Sequence, residues 1–229
     1  MRSEVTNIDW SVYLRLKRNP LLNKAVPLFV RGERLQRFRT LPNNLLVHDL
    51  KKGIPFADDS VDVVYHSHML EHLDRDIAKT FLVEVRRVLK PGGIQRIAVP
   101  DFEEAAREYL GHIPVCESDP LEAEKHGDYI GAMIEQSVRR EGFGTSQQKP
   151  LRRRIENIVL GDARKRGETH QWMYDWIHLK SVLLGLKFSD IRRYQYNTSQ
   201  VPNWNDYGLD LDENGKEYKP ESFYVEAIK

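Results

Sequence analysis

The sequence is short of several features, and each shortage excludes a class of protein. Cys116 is the single cysteine, which excludes an intrachain disulfide framework and fits a reducing compartment. No apolar run approaches the roughly 18 residues of a membrane span, and the N-terminus has no apolar core of the signal-peptide type. Neither sign of charge is in excess, because the formal net charge is +1. No strong field therefore points to nucleic acid or an anionic membrane, and we expect a cytoplasmic protein.

What the sequence does contain is one continuous alternating stretch, residues 47–101. It predicts a strand, a loop, a second strand over 61–65, a polar His-rich turn, a helix over 74–90, a Pro-Gly-Gly turn at 91–93 and a strand over 94–99. A strand, a helix and a strand joined by short turns form a right-handed crossover unit in a parallel sheet. The predicted fold class is therefore α/β, with a doubly wound, mostly parallel sheet.

The rest of the chain is assigned to the same single domain, residues 1–229. Residues 102–110 predict a further helix, whereas residues 111–168 break the alternation and predict a helical insertion or lid. Residues 190–196 and 222–228 predict two closing strands, which we expect to pair as an antiparallel hairpin with a long connection.

Polar side chains follow three of the predicted strands, at the ends where ligands of open α/β sheets bind. Asp9 ends a short first strand, Asp49 ends the next, and a His-Ser-His run begins at His66. Carboxylates suit ribose hydroxyls and an adenine amino group, because they are charged acceptors with several lone-pair directions. The order of these acids indicates a nucleotide-type ligand.

The cluster His66-x-His68-x-x-Glu71-His72 allows a metal interpretation. Imidazole and carboxylate are zinc or iron ligands, and a His-x-His pair at a strand end can donate to one ion. In the structural alternative, Glu71 and His72 make polar contacts at a helix N-terminus and the other histidines are hydrogen-bonded packing residues. The alternative carries more weight, so the sequence assigns no metal ligands.

A compact polar and aromatic group, THQWMYD, occupies residues 169–175. His170 is a candidate general base, and Trp172 and Tyr174 are candidates for lining a substrate pocket. The alternative is that the two aromatic residues are core anchors and that Asp175 caps the helix that follows.

Two pieces of the sequence, HDLKKGIPFADDSVDVVYHSHMLEHL and EVRRVLKPGGIQRIAVPD, carry a family resemblance. In order and spacing they resemble the class I S-adenosylmethionine-dependent methyltransferases, in the branch often called methyltransferase type 11. The resemblance implies a seven-stranded sheet with helices on both faces and S-adenosylmethionine as the cofactor. It also implies methyl transfer from a sulfonium, which needs alignment and a base for the acceptor.

The resemblance implies roles for individual residues. For the cofactor, it implies that Asp9 binds the ribose and that Asp49 and Leu50 contact the adenine. It places His66, Ser67 and His68 near the methionine end. Glu71 and His72 match the family's Leu-Glu-His motif. The catalytic candidates are His72 and His170, and the substrate-binding candidates are Trp172 and Tyr174.

One feature of the family has no counterpart in residues 1–46. The family has a Gly-x-Gly loop upstream of the acid that matches Asp9, whereas the first glycine here is Gly32. Such glycines let the backbone approach the ligand closely, so cofactor binding without them is in question. Two explanations stay open: Met1 is a misassigned start of a truncated chain, or the chain is a shortened relative.

Three functional hypotheses follow. The first is a methyltransferase acting on a small-molecule or sugar-type acceptor, inactive if the chain is truncated. The second is a non-catalytic binding or oligomerisation module, forming a homo-oligomer through an exposed part of the sheet. The third is a metal-dependent hydrolase that uses His66, His68 and His72. We expect neither nucleic acid nor a membrane as a partner.

Overall fold

The structure is a computed structural model. It describes residues 5–9, 14, 16–17, 19, 23, 26, 32–40, 45–138 and 170–229. The chain divides into two compact units, Met1–Pro55 and Phe56–Lys229. Within the described ranges, no helix is both long enough and apolar enough to cross a membrane.

The first unit contains a small parallel sheet. Strand β1 (Asn7–Asp9) pairs with strand β2 (Leu45–Val47) in parallel, with Asp9 opposite Val47. The ladder continues past β2, because the His48 N–H donates to the Asp9 carbonyl at 3.2 Å. Helix α1 (Glu33–Thr40) lies between the strands in sequence. Asp9 and Asp49 therefore lie at the same end of this strand pair.

The second unit is built on a four-stranded sheet. Its strands are β3 (Val61–Ser67), β4 (Leu89–Pro100), β5 (Ser189–Tyr194) and β6 (Ser222–Ile228), in the order β3-β4-β6-β5. β3 and β4 are parallel, whereas β6 runs antiparallel to both β4 and β5. The predicted α/β class is confirmed, and so is the antiparallel pairing of the two closing strands.

Helix α2 (Arg75–Val88) connects β3 to β4. It forms because apolar residues recur every three or four positions and make one stripe. The buried members of that stripe are Ala78, Phe81, Leu82, Val85 and Val88. Asp74 occupies the N-cap position, and Arg86 and Arg87 lie in the last turn, where the helix dipole favours positive charge. The predicted strand–helix–strand unit is therefore confirmed.

The end of α2 differs from the prediction. The helix stops at Val88, and β4 begins at Leu89, so the Pro-Gly-Gly turn predicted at 91–93 lies inside a strand. Leu89 is buried and pairs with Val61, and the strand then bulges before regular pairing resumes. The chain end holds this segment, because the Lys229 N–H donates to the Gly93 carbonyl at 3.0 Å. Long-range pairing overrides the local turn signal here.

The remaining helices are α3 (Phe102–Ser118), α4 (Pro120–Val138) and α5 (Trp176–Gly185). Asp101 caps α3 by accepting from the Glu103 N–H at 3.0 Å, and Asp175 caps α5 as the sequence predicts. The insertion predicted at 111–168 is helical as far as residue 138, and its remaining part lies outside the described residues.

The resemblance implies seven strands in one sheet, and the described residues contain six, in sheets of two and four. Two of the four described strand pairings are parallel. The core of the second unit lies along β4 and β6. Its fully buried strand residues include Ile97, Ala98, Val99, Val225 and Ala227.

Candidate functional site

The site lies at the carboxyl end of β3, in the turn that leads to α2. The ladder between β3 and β4 is extended here, because the His68 N–H donates to the Ala98 carbonyl at 2.9 Å. His68 itself has φ +46°. Left-handed backbone is uncommon for a non-glycine residue and tends to occur at functional sites. A short 3-10 turn (Leu70–His72) follows and joins the strand end to the helix.

Glu71 is the centre of this turn. Its side chain is fully buried, and Oε1 lies 3.5 Å from His68 Nδ1 and 3.8 Å from His72 Nε2. Among the described residues, no other residue forms a hydrogen bond with either carboxyl oxygen. Burial raises the pKa of Glu71 to about 7, and the residue's own backbone N–H and then the Lys219 ammonium oppose that shift. The carboxyl group can therefore gain or lose a proton near neutral pH.

The segment that begins at His170 contacts this turn through its backbone. The Gln171 and Trp172 N–H groups donate to the Glu71 carbonyl at 2.6 and 3.2 Å. The rings of His72 and His170 consequently lie edge to face, with centroids 4.8 Å apart. The structure thus brings the two predicted catalytic histidines together, and their catalytic role stays a prediction.

The same three side chains form a set of metal-compatible donors. Ligand atoms of Glu71, His72 and His170 all lie within 4.8 Å of one another. The sequence predicts a different set for a hydrolase, made of His66, His68 and His72. In the part of the chain that the structure describes, these three residues do not form a set of metal-compatible donors. His66 is buried against Phe81 of α2, whereas His68 follows the end of β3 with left-handed backbone.

His66 packs inside the molecule. It is 7% exposed, its ring meets that of Phe81 in α2 at 5.3 Å, and its Nε2 lies 3.1 Å from the Gln95 side-chain nitrogen. Burial lowers the pKa of His66 to about 4. Ser67 and His68 lie at the half-buried strand end, and His68 Nε2 lies 2.7 Å from the Ser222 hydroxyl. The cofactor roles of these three residues stay predictions.

Burial also lowers the pKa of His68 to about 4, and nearby positive charge adds to that shift. The groups responsible are Lys219, His170 and His72, in decreasing order. His68 is therefore held neutral, with a ring nitrogen able to accept or donate a hydrogen bond.

Trp172 and Tyr174, the predicted substrate residues, flank the same turn. The Arg75 guanidinium lies 4.3 Å from the centre of the Trp172 ring. Tyr174 is buried, bridges to Asp101 at the end of β4, and stacks on His178 with centroids 5.8 Å apart. Burial raises the pKa of Tyr174 to about 12, so its hydroxyl stays protonated. Tyr174 is therefore a core anchor, as the alternative interpretation of the sequence expects. The substrate-binding roles of Trp172 and Tyr174 stay predictions.

The predicted adenosine residues belong to the first unit. Asp9 ends β1, Asp49 follows β2, and Leu50 begins a 3-10 turn (Leu50–Lys52). Two carboxylates at one end of a parallel strand pair are suitable hydrogen-bond acceptors for ribose hydroxyls and an amino group, since both of these groups donate. The residues present therefore fit the adenosine part of S-adenosylmethionine, and their binding roles stay predictions.

Sequence reasoning missed the residues that reach the turn from the far end of the chain. Ser222 arrives because β6 pairs antiparallel with β4, which sets it opposite Pro100. Lys219 lies just before that strand and acts on both Glu71 and His68. No local pattern marks either residue. The Leu-Glu-His motif identifies Glu71 as a candidate residue, but the sequence does not predict that its side chain is buried.

Comparison with known proteins gives one family match. The methyltransferase domain family matches residues 25–97, a range that contains β2, β3, α2 and most of β4. Asp9 and the segment from His170 to Tyr174 lie outside the match. No curated protein matches the sequence significantly.

Solved structures give loose likenesses. An S-adenosylmethionine-dependent methyltransferase from Archaeoglobus fulgidus is 17% identical, covering 86% of this chain and 73% of its own, with a TM-score of 0.39. A possible histamine N-methyltransferase from Thermotoga maritima is 16% identical, covering 99% and 83%, with a TM-score of 0.41. A methyltransferase from Methanosarcina mazei is 15% identical, covering 98% and 81%, also at 0.41. At such TM-scores the likeness carries no argument about this chain.

The family match rests instead on residues whose structure agrees with it. The matched range contains β3, α2 and most of β4, with the Leu-Glu-His turn at the carboxyl end of β3. The predicted resemblance is confirmed by that match. Residues 25–97 are thus similar to the methyltransferase domain family, whose class I members are S-adenosylmethionine-dependent transferases with a Rossmann-like fold.

Proposed function

We propose that this protein transfers a methyl group from S-adenosylmethionine to a hydroxyl group of a small-molecule or sugar-type acceptor. The observation that carries the proposal is the convergence of Glu71, His72 and His170 at the carboxyl end of β3, inside and beside the segment that matches the family. Ligands of open α/β sheets bind at this edge.

The chemistry of the cluster suits an acceptor that must lose a proton. When bound, the cofactor supplies an electrophilic methyl group on a sulfonium sulfur. A hydroxyl is a weak nucleophile until a base removes its proton, and a positioned base contributes typically about 10²–10⁴-fold. The imidazoles of His72 and His170 are half-buried and can reach an acceptor, whereas Glu71 is fully buried.

Glu71 therefore acts through its neighbours. Its Oε1 lies within 3.8 Å of His72 Nε2, close enough to orient that ring and to stabilise the imidazolium that forms when the ring takes a proton. We assign His72 and His170 as the candidate bases and Glu71 as a positioning residue. The raised pKa of Glu71 gives this arrangement a pH dependence.

Charge and an aromatic residue at the turn support this acceptor class. The near-neutral chain offers no field for a polyanion, and the Trp172 N–H donates to the Glu71 carbonyl, which puts at this turn an aromatic residue of the kind that packs on a sugar ring. Within the first unit, Asp9, Asp49 and Leu50 are the residues proposed for the ribose and adenine.

Binding of S-adenosylhomocysteine, measured by calorimetry on the full chain, tests the cofactor class. Saturable binding is expected, with weaker binding in Asp49→Asn, and no binding at millimolar ligand would overturn the proposal for this chain. Once a hydroxyl acceptor has been identified, steady-state kinetics test the bases. His72→Gln or His170→Gln is expected to lower kcat by about 10²-fold or more.

The pH–rate profile tests the positioning role. The Glu71 carboxyl is ionised above its pKa of about 7, so kcat/KM is expected to rise as pH rises through 7. The histidine bases also lose a proton near neutral pH, so Glu71→Gln should move the midpoint of that rise with little change in KM, whereas Glu84→Gln, a carboxyl of α2 paired with Arg87, should leave the midpoint unchanged. An unchanged midpoint in Glu71→Gln contradicts the assignment.

Metal-assisted hydrolysis is the second candidate, favoured by the proximity of the ligand atoms of Glu71, His72 and His170. The ligand set that the sequence predicts for a hydrolase includes His66, but the ring of His66 packs against Phe81. Elemental analysis of wild type and His170→Gln decides this candidate. Stoichiometric metal that is lost in the variant supports it, and equal metal content in the two proteins rejects it.

A further inference from the structure

We propose that helices α3 and α4 hold a transition-metal site whose ligands are His112, Cys116 and His126, suited to Zn²⁺. These residues lie outside the family match and have no part in the proposed methyl transfer. The site would bind one ion between the two helices and fasten them together.

The ligand positions follow from helix geometry. His112 and Cys116 are four residues apart on α3, so their side chains lie on the same face. Asp119 alone separates α3 from α4, and its side chain accepts from the Leu121 N–H at 2.9 Å, which starts the second helix. The short connection brings His126 of α4 against that face.

The donor atoms converge on one point. His112 Nδ1 lies 3.0 Å from His126 Nδ1 and 3.2 Å from Cys116 Sγ, and the three donor atoms all lie within 4.8 Å of one another. Neutral imidazoles would need a hydrogen on one Nδ1 to satisfy this contact, and the thiol competes for the same nitrogen. A cation between the three atoms satisfies all of their lone pairs at once.

The ligand types select the metal. Two imidazoles and one thiolate form a mixed nitrogen and sulfur set, which favours Zn²⁺ among the common divalent ions over the oxygen-seeking Mg²⁺ and Ca²⁺. Three protein ligands leave the fourth tetrahedral position for water. The Cys116 thiol would lose its proton on binding.

The surroundings resemble those of a built metal site. His112 is 7% exposed, and its other ring nitrogen, Nε2, lies 3.4 Å from Glu122 Oε2. A carboxylate on the far nitrogen of a metal-bound histidine fixes the ring and its tautomer. The rings of Tyr129 and Tyr109 stack on His112 and His126 at 4.1 and 5.2 Å and restrict access to the cluster.

Cobalt substitution tests the site. The reduced, metal-free full chain is titrated with Co²⁺, and we expect one equivalent to produce a thiolate-to-cobalt charge-transfer band. Cys116→Ser and His126→Gln should lose the band, whereas His170→Gln, which alters the sulfur-free cluster of Glu71, His72 and His170, should keep it. No band in the wild type, or an undiminished band in His126→Gln, overturns the proposal.

Two further measurements keep the test independent of misfolding. Glu122→Gln changes a partly exposed residue and should weaken Zn²⁺ binding about 10–100-fold without changing the far-ultraviolet circular dichroism. Zn²⁺ should raise the Tm of the wild type but not that of Cys116→Ser, because only the folded site binds. Equal affinity in Glu122→Gln, or equal rises in Tm, would count against the site.

Discussion

Burial acts in opposite directions on the ionisable side chains at the carboxyl end of β3. It raises the pKa of Glu71 to about 7 and lowers the pKa values of His66 and His68 to about 4, because a low-dielectric environment disfavours whichever form is charged. Near neutral pH these two histidines are uncharged and Glu71 is only partly ionised. The strand end is therefore polar without carrying a large net charge.

The burial of His66 makes the stability of the fold sensitive to acid. Unfolded His66 takes a proton near pH 6.5, whereas folded His66 resists it until about pH 4, so its contribution to stability is present above pH 6.5 and is lost as pH falls through 4. In that window the free energy of unfolding should fall by up to about 1.4 kcal/mol per pH unit for this residue.

Urea unfolding followed by tryptophan fluorescence at several pH values checks this prediction. His66→Gln should show a slope between pH 6.5 and 4 that is shallower by about one proton, even if its stability at neutral pH is lower. An identical slope in the two proteins would show that His66 is protonated alike in the folded and unfolded states.

At the scale of the element, the start of β4 is the most constrained part of the sheet. The strand bulges between its pairings with Val61 and Val63, and Gly93 lies in that bulge. A Cβ atom on Gly93 would lie 2.9 Å from the Lys90 carbonyl oxygen and 3.0 Å from that of Asp62. Both obstacles are backbone atoms of paired strands, which cannot move aside cheaply.

Gly93→Ala should consequently cost about 1–3 kcal/mol of unfolding free energy, as overpacking of a buried site does. Gly131→Ala is the matched control, because a Cβ there meets nothing within 4 Å and the residue lies within α4. Alanine in a helix is favoured over glycine by up to about 1 kcal/mol, so the control should be neutral or stabilising. Chemical denaturation of both variants gives the comparison, and equal stabilities would contradict it.

At the scale of the whole second unit, one buried cation connects three parts of the chain. Arg96 of β4 is fully buried and contacts Glu226 of β6 at 2.7 Å and Asp210 at 2.8 Å. Its guanidinium also donates to the carbonyls of Gln195, Tyr196 and Thr198. The long connection between β5 and β6 is therefore fastened to the centre of the sheet through this residue.

Removing that cation leaves two buried carboxylates uncompensated. Arg96→Met is therefore expected to destabilise the protein by about 3–5 kcal/mol. Arg107→Met is the control, since Arg107 is 77% exposed and its pair with Glu103 should contribute only about 0–1 kcal/mol. Urea denaturation measures both, and similar losses in the two variants would contradict the distinction between buried and exposed pairs.

The elements that sequence predicted well are those formed by nearby residues. The stripe of α2 and the β-branched run of β3 depend on periodicities of a few residues, and both occur where expected. The end of α2 was misplaced because Leu89 pairs with Val61, and residue spacing does not report such a partner. His72 and His170 were each visible as candidates, but their contact depends on backbone bonds to the Glu71 carbonyl.

The sequence by itself determined the strand–helix–strand unit, the resemblance of residues 25–97 to the methyltransferase domain family and the set of polar residues at the strand ends, because each depends on local spacing. Tertiary structure alone decided that His66 is buried, that Glu71 becomes the centre of the turn, and that Ser222 reaches His68. It also decided that Cys116 meets His112 and His126. These outcomes depend on pairing between distant segments, which sets burial, and burial in turn sets the ionisation and ligand chemistry of each side chain.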